Sequence, residues 1–123
     1  MTTPPQRHPF LDDLGEDVLL TTSVLRKPVA GLAMVLKVVQ GGAGQYLTQT
    51  TRFLGHFGER SYFDYDVTLA GNLEARGLVS ILRNSGGKVT DLNITFSPLG
   101  SVLAIAAGVR ERLQDDLEAG YFL

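Results

Sequence analysis

The chain has 123 residues, 11 Lys+Arg against 13 Asp+Glu, and a formal charge of −2. That length suits one domain, and a 44% hydrophobic share predicts a packed core rather than disorder. The charge excludes a binder that relies on bulk positive charge, and zero cysteines exclude disulfides, thiolate nucleophiles and Cys-ligated zinc.

Residues 1–9 hold three prolines and read as a flexible leader, with His8 solvated in it. They carry no apolar run of the kind a signal peptide needs. The two most apolar stretches, Val29–Leu36 and Val102–Val109, are too short to span a membrane. A cytoplasmic protein is expected, with residues 10–123 as a single domain.

From Phe10 to about Leu25, Leu11, Leu14, Val18 and Leu19 have helical spacing, and Asp12, Asp13, Glu16 and Asp17 suit a helix N-terminus. Pro28 opens a second, nearly all-apolar helix through about Val39, which Gln40-Gly41-Gly42-Ala43-Gly44 stops. Leu47, Thr50 and Leu54 on one face predict a short third helix over Gln45–Leu54. Gly55-His56-Phe57-Gly58 is a turn.

Ser61-Tyr62-Phe63-Asp64 matches a capping box, and Phe63, Val67, Ala70 and Leu73 recur at helical spacing before Gly77. A helix over Tyr62–Arg76 follows. Tyr62 to Leu69 also has strand propensity, and as a strand it would put Asp64 and Asp66 on one face. Leu78–Leu82 and Leu92–Phe96 read as two strands joined at Asn84–Lys88, a β-hairpin. Ser97-Pro98 opens a final helix to about Ala119, striped by Val102, Ala106, Val109, Leu113 and Leu117. The net −2 arises wholly in this last segment, where Arg110 and Arg112 face Glu111, Asp115, Asp116 and Glu118.

The predicted fold is mainly α with a β-hairpin wing. Leu73-Glu74-Ala75-Arg76-Gly77-Leu78-Val79, then the hairpin, then Phe96-Ser97-Pro98-Leu99-Gly100, resembles the MarR-type and neighbouring winged helix-turn-helix regulators. The resemblance covers roughly residues 28–120. It implies a helix-turn-helix over Gln45–Leu54 and Tyr62–Arg76, a wing over Arg83–Asp91, and additional terminal helices. It also implies a homodimer on DNA that regulates transcription. Candidate DNA contacts are Thr48, Arg52, Arg60, Tyr62, Tyr65, Thr68, Asn72, Arg83 and Lys88. Candidate dimer contacts are Leu14, Val18, Val102, Ala106, Val109, Leu113 and Leu117. The alternative is a winged-helix assembly module without DNA binding, docking through the acidic helix that carries Asp64 and Asp66.

No metal-ligand spacing joins His8 and His56, and no nucleophile motif occurs. Neither an enzyme nor a cofactor is expected, and a small-molecule effector is left unassigned.

Overall fold

Alternation with a period of two, not helical spacing, governs most of this chain. A computed structural model describes residues 8–123, so most of the proposed leader lies outside the described residues. A 3-10 turn at Pro9–Asp13 leads into β1 (Leu14–Thr22), followed by β2 (Val29–Ala30) and α1 (Leu32–Ala43). Four long strands come next: β3 (Thr48–Phe57), β4 (Arg60–Leu69), β5 (Leu73–Arg83) and β6 (Val89–Ser97). Helix α2 (Leu99–Leu113) and a 3-10 turn at Ala119–Tyr121 end it.

The strands make one sheet in the order β2-β1-β6-β5-β4-β3. Only β1 with β6 runs parallel; the other neighbours are antiparallel. Helix α1 packs on β1 and α2, and α2 packs on β5 and β6, so both helices cover the same, inner face. The core lies between. Phe63, Tyr65, Val67 and Leu69 of β4, Ala75, Val79 and Ile81 of β5, and Leu92, Ile94 and Phe96 of β6 point into it. Register shifts at Thr51/Phe53 in β3 and Leu82/Arg83 in β5 are the kind of irregularity that bends a sheet.

This corrects the mainly α, winged-helix expectation. The described residues form two α-helices, and the helices expected over Phe10–Leu25, Gln45–Leu54 and Tyr62–Arg76 are strands and turns. The physical reasons are local. Phe57 pairs with Arg60 across Gly58-Glu59, and Gly58 has φ +62°, the signature of a two-residue hairpin with glycine first. Leu69 pairs with Leu73 across a tight turn in which Gly71 and Asn72 take φ +78° and +58°. Thr48, Thr50, Thr51 and Phe53 favour a strand, and the supposed apolar face of that segment is not one: Leu47 is 60% exposed and Leu54 74%.

The hairpin at residues 78–96 is real, although its strands are longer than predicted. Its tip is held by Asn84 Oδ1, which accepts the backbone N–H groups of Gly86 and Lys88. Helix α1 runs through Gly41 and Gly42 rather than stopping before them, and packs there against Leu113 of α2. Leu14, Val18, Val102, Ala106, Val109 and Leu113, expected at a dimer seam, are buried in the chain's own core, and Leu117 packs partly buried against it. Their apolar surface is used inside the fold. Among the described residues, no helix is long and apolar enough to cross a membrane.

Candidate functional site

The inner face of the sheet encloses a small cavity beneath the helices. Leu20 and Thr22 of β1, Val38, Val39, Gly42 and Ala43 of α1, Val79 of β5, and Ile94 and Phe96 of β6 line it, with His8, Phe10, Val24, Tyr46 and Tyr65. Among these described residues there is no Asp, Glu, Lys or Arg. Its volume is about 20 Å³, room for one water molecule.

Two tyrosines supply the polar centre. Tyr46 follows α1, where its backbone N–H bonds to the Ala43 carbonyl. Tyr65 sits in the middle of β4, opposite Gly77 of β5. Its ring lies directly over that glycine: a Cβ built on Gly77 would fall 2.5 Å from Tyr65 Cζ and 2.7 Å from its hydroxyl oxygen. Gly77 is thus a strand glycine that makes space for a close neighbour. The two hydroxyls lie 2.9 Å apart and are hydrogen-bonded. Two hydroxyls own two protons, and one bond between them uses one, so the pair retains one O–H to donate. Burial raises the Tyr46 hydroxyl well above its ordinary range and pushes Tyr65 up to about 12, so both are neutral donors near pH 7.

His8 closes the site on one side. Its ring lies 5.6 Å from Phe10, 5.0 Å from Phe63 and 5.4 Å from Tyr65, and Nε2 is 3.0 Å from Gln49 Nε2. Burial lowers its pKa, which leaves the imidazole neutral at pH 7. His8 and Phe10 also line an adjoining open groove of about 310 Å³, completed by Pro9, Thr51, Leu54, Ser61, Phe63, Ile81 and Arg83. The aromatic cluster around His8 therefore stands between cavity and groove.

Of the residues proposed from sequence for DNA, Thr48 and Arg52 lie on β3, and Arg60, Tyr62, Tyr65 and Thr68 on β4. Tyr65 is in the buried site, in a different role. Thr48 and Thr68 bond to each other through their hydroxyls at 2.7 Å, and Tyr62 is half-buried on the outer face of β4. Arg52 reaches Asp66 at 2.7 Å, Arg60 reaches Asp91 at 2.9 Å, and Arg83 reaches Asp13 at 2.9 Å. Asn72 is in the β4–β5 turn, and Lys88 is exposed beside the β5–β6 loop. Each of these three arginines already faces a carboxylate. Asp64 and Asp66 do share the outer face of a strand, yet they form no acid–base pair. Hydrogen bonding from Arg52, aided by Arg76, holds the Asp66 carboxyl below its ordinary value. Asp64 Oδ1 is buried without a hydrogen-bond partner among the described residues. No group of three or more potential metal ligands occurs among the described residues.

Sequence reading missed Tyr46, His8, Gln49 and Gly77. The available signal was Gly77, which falls on the alternating inward positions Ala75, Val79 and Ile81 of its strand and was read instead as a helix terminus.

No family model and no curated protein sequence matches the chain. Solved structures do match its fold. One is an uncharacterised bacterial protein with a cystatin-like fold from Silicibacter pomeroyi DSS-3 (TM-score 0.79, 22% identity, 87% of this chain and 75% of that one). Another is a steroid delta-isomerase from Pseudomonas aeruginosa (TM-score 0.78, 18% identity, 89% and 80%). A third is an NTF-2 like protein of unknown function from Burkholderia xenovorans LB400 (TM-score 0.61, 16% identity, 71% and 66%). At these identities the likeness establishes the fold, which is NTF2-like and not winged-helix. The expectations of a winged-helix DNA-binding regulator, of a winged-helix assembly module and of DNA as partner are corrected accordingly. The expectation that the chain is not an enzyme meets a neighbouring fold that carries an isomerase.

Proposed function

We propose that the chain binds a small, largely apolar molecule through a carbonyl oxygen, which the Tyr46–Tyr65 pair holds by its spare O–H. The single observation behind this reading is the 2.9 Å hydroxyl pair in a cavity whose described lining carries no Asp, Glu, Lys or Arg. A donor aimed into such a place favours an acceptor whose negative charge grows during reaction, because low polarity strengthens the hydrogen bond. The cavity holds only a water-sized guest, so a larger ligand occupies it by moving the His8 ring aside and extending into the groove.

The reaction these groups suit is proton transfer beside a carbonyl. Neutral His8 accepts a proton from the carbon next to the carbonyl, with Gln49 turned so that its amide oxygen accepts Nε2–H and Nδ1 is the base. The tyrosine pair stabilises the enolate oxygen, and His8 returns the proton at the far carbon, giving the isomerised ketone. No atom is gained or lost. The steroid delta-isomerase of similar fold supports this choice by analogy of scaffold alone, since folds host many chemistries.

The test uses a phenol, as an enolate mimic, and a β,γ-unsaturated ketone. Calorimetric titration of phenol should weaken about tenfold in the double variant Tyr46→Phe/Tyr65→Phe, the worth of one strong hydrogen bond, since either tyrosine alone keeps one O–H to donate. Conversion of the ketone, followed by absorbance of the conjugated product, should fall in His8→Phe. Phenol binding that is absent, or indifferent to both tyrosine substitutions, refutes the carbonyl-binding reading. Binding without conversion refutes the proton-transfer step alone.

A further inference from the structure

The groove that continues from the cavity is apolar along its walls, formed by Pro9, Phe10, Leu54, Phe63 and Ile81, and among the described residues its one permanent cation is Arg83. Arg83 is six residues along β5 from Gly77, over which the Tyr65 hydroxyl sits. At about 3.3 Å per residue that is roughly 20 Å of strand. The hydrogen bonds formed by Arg83 both come from Nη1, to Asp13 Oδ2 at 2.9 Å and to the Gly87 carbonyl at 2.8 Å. Among the described residues Nε and Nη2 have no partner, so that edge of the guanidinium retains its two-point donor geometry. Planar forks of this kind match carboxylates. Ser61 and Thr51 set hydroxyls in the same groove.

We infer that the ligand is amphipathic: an apolar body along the groove with a carboxylate at the Arg83 end. The inference rests on the carbonyl-binding reading for where the other end lies, and adds the charge that the groove selects. Asp13 is the built-in competitor. Its carboxylate occupies one side of Arg83 and partly neutralises it, so removing the Asp13 charge should improve the site for an anion rather than damage it.

Three probes of equal chain length separate the terms: decanoate, methyl decanoate and the corresponding methyl ketone, each titrated calorimetrically. Wild-type protein should bind decanoate about tenfold more tightly than methyl decanoate, as one charge-assisted pair provides. In Arg83→Gln the acid should fall to the level of the ester, while the ester and ketone hold their affinity. In Asp13→Asn the acid should bind more tightly, with the ester unchanged. Equal binding of acid and ester to the wild type overturns the inference, and so does an acid preference that survives Arg83→Gln. If the ketone binds and responds to the double variant Tyr46→Phe/Tyr65→Phe while the acid has no advantage, the carboxylate end is wrong and the carbonyl end stands. If none of the probes binds, both are refuted.

Discussion

Adding one methyl group at Gly77 tests the geometry of the site without touching its polar atoms. An alanine Cβ there would stand 2.5 Å from Tyr65 Cζ, about 1 Å short of ordinary contact. The obstacle is a ring packed in a core, not the free end of a flexible side chain. A displacement of that size carries the 2.9 Å bond to Tyr46 out of hydrogen-bonding range unless Tyr46 follows. Overpacking costs about 1–3 kcal/mol. Loss of the hydrogen bond costs about 1 kcal/mol. Alanine returns about 0.5–1 kcal/mol through reduced chain entropy. The net is about 1–3.5 kcal/mol, a fall in Tm of roughly 3–20 °C for a chain of this size. Thermal melts of Gly77→Ala, Tyr65→Leu and the double variant form a cycle. With leucine at position 65 the obstructing ring is gone, and the alanine should then cost close to nothing. If the Gly77→Ala penalty is the same in both backgrounds, the two sites are independent and the reasoning fails.

The tyrosine pair predicts a second non-additive result. Tyr46→Phe and Tyr65→Phe should each cost about 1–2 kcal/mol in denaturant unfolding, because each leaves a buried hydroxyl unpartnered, while the double variant should cost less than their sum. Acid sensitivity follows from His8, whose pKa burial lowers from 6.5. The unfolded chain then binds more protons than the folded one between the two values, so stability rises with pH across that window. It should be complete above about pH 6.5 and decline as pH falls toward the folded value; His8→Phe should flatten Tm against pH there. The lowered Asp66 carboxyl has an ordinary value of 3.8, so its effect belongs to a more acidic window.

How much of this was legible in the sequence turns on one arithmetical coincidence. A spacing of four satisfies both a helix and a strand, and Leu14/Val18 and Phe63/Val67 are four apart. The deciding residues are those in between. Tyr65, two after Phe63, and Leu20, two after Val18, are buried, which only alternation explains. The hairpin of β5 and β6 was readable because Leu92, Ile94 and Phe96 alternate without a competing helical spacing. The turn placed over Gly55–Gly58 falls in fact at Gly58-Glu59, after β3 has run through Phe57, and Gly71-Asn72 was the overlooked punctuation that reverses the chain into β5. The final helix was placed correctly at its start and too long at its end. The site was barely legible at all. His8 and Tyr46 lie 38 residues apart in segments of unremarkable composition, and only the folded sheet brings them to the same cavity.

The same sheet also sorts the charges in a way that bears on chemistry. On the outer face Arg52 and Arg76 converge on Asp66, and Arg60 meets Asp91, so opposite charges are compensated in solvent, where such pairs contribute little to stability. On the inner face titratable groups remain, but in environments that keep them neutral: burial moves His8 down and both tyrosines up. Divergence of this kind assigns roles. A histidine that is reluctant to hold a proton is a base that gives it back, and phenols that are reluctant to lose theirs donate hydrogen bonds without becoming acids. A carboxylate base would need a cation to offset its burial, and among the described lining residues there is none. On the proposed reading, proton transfer runs through neutral groups, with negative charge appearing on the ligand oxygen next to the tyrosine pair. That is a stricter requirement than the fold imposes. It predicts that introducing a carboxylate at Thr22, which lines the cavity, would raise the affinity for cationic guests and abolish the binding of phenol by competing for the tyrosine O–H.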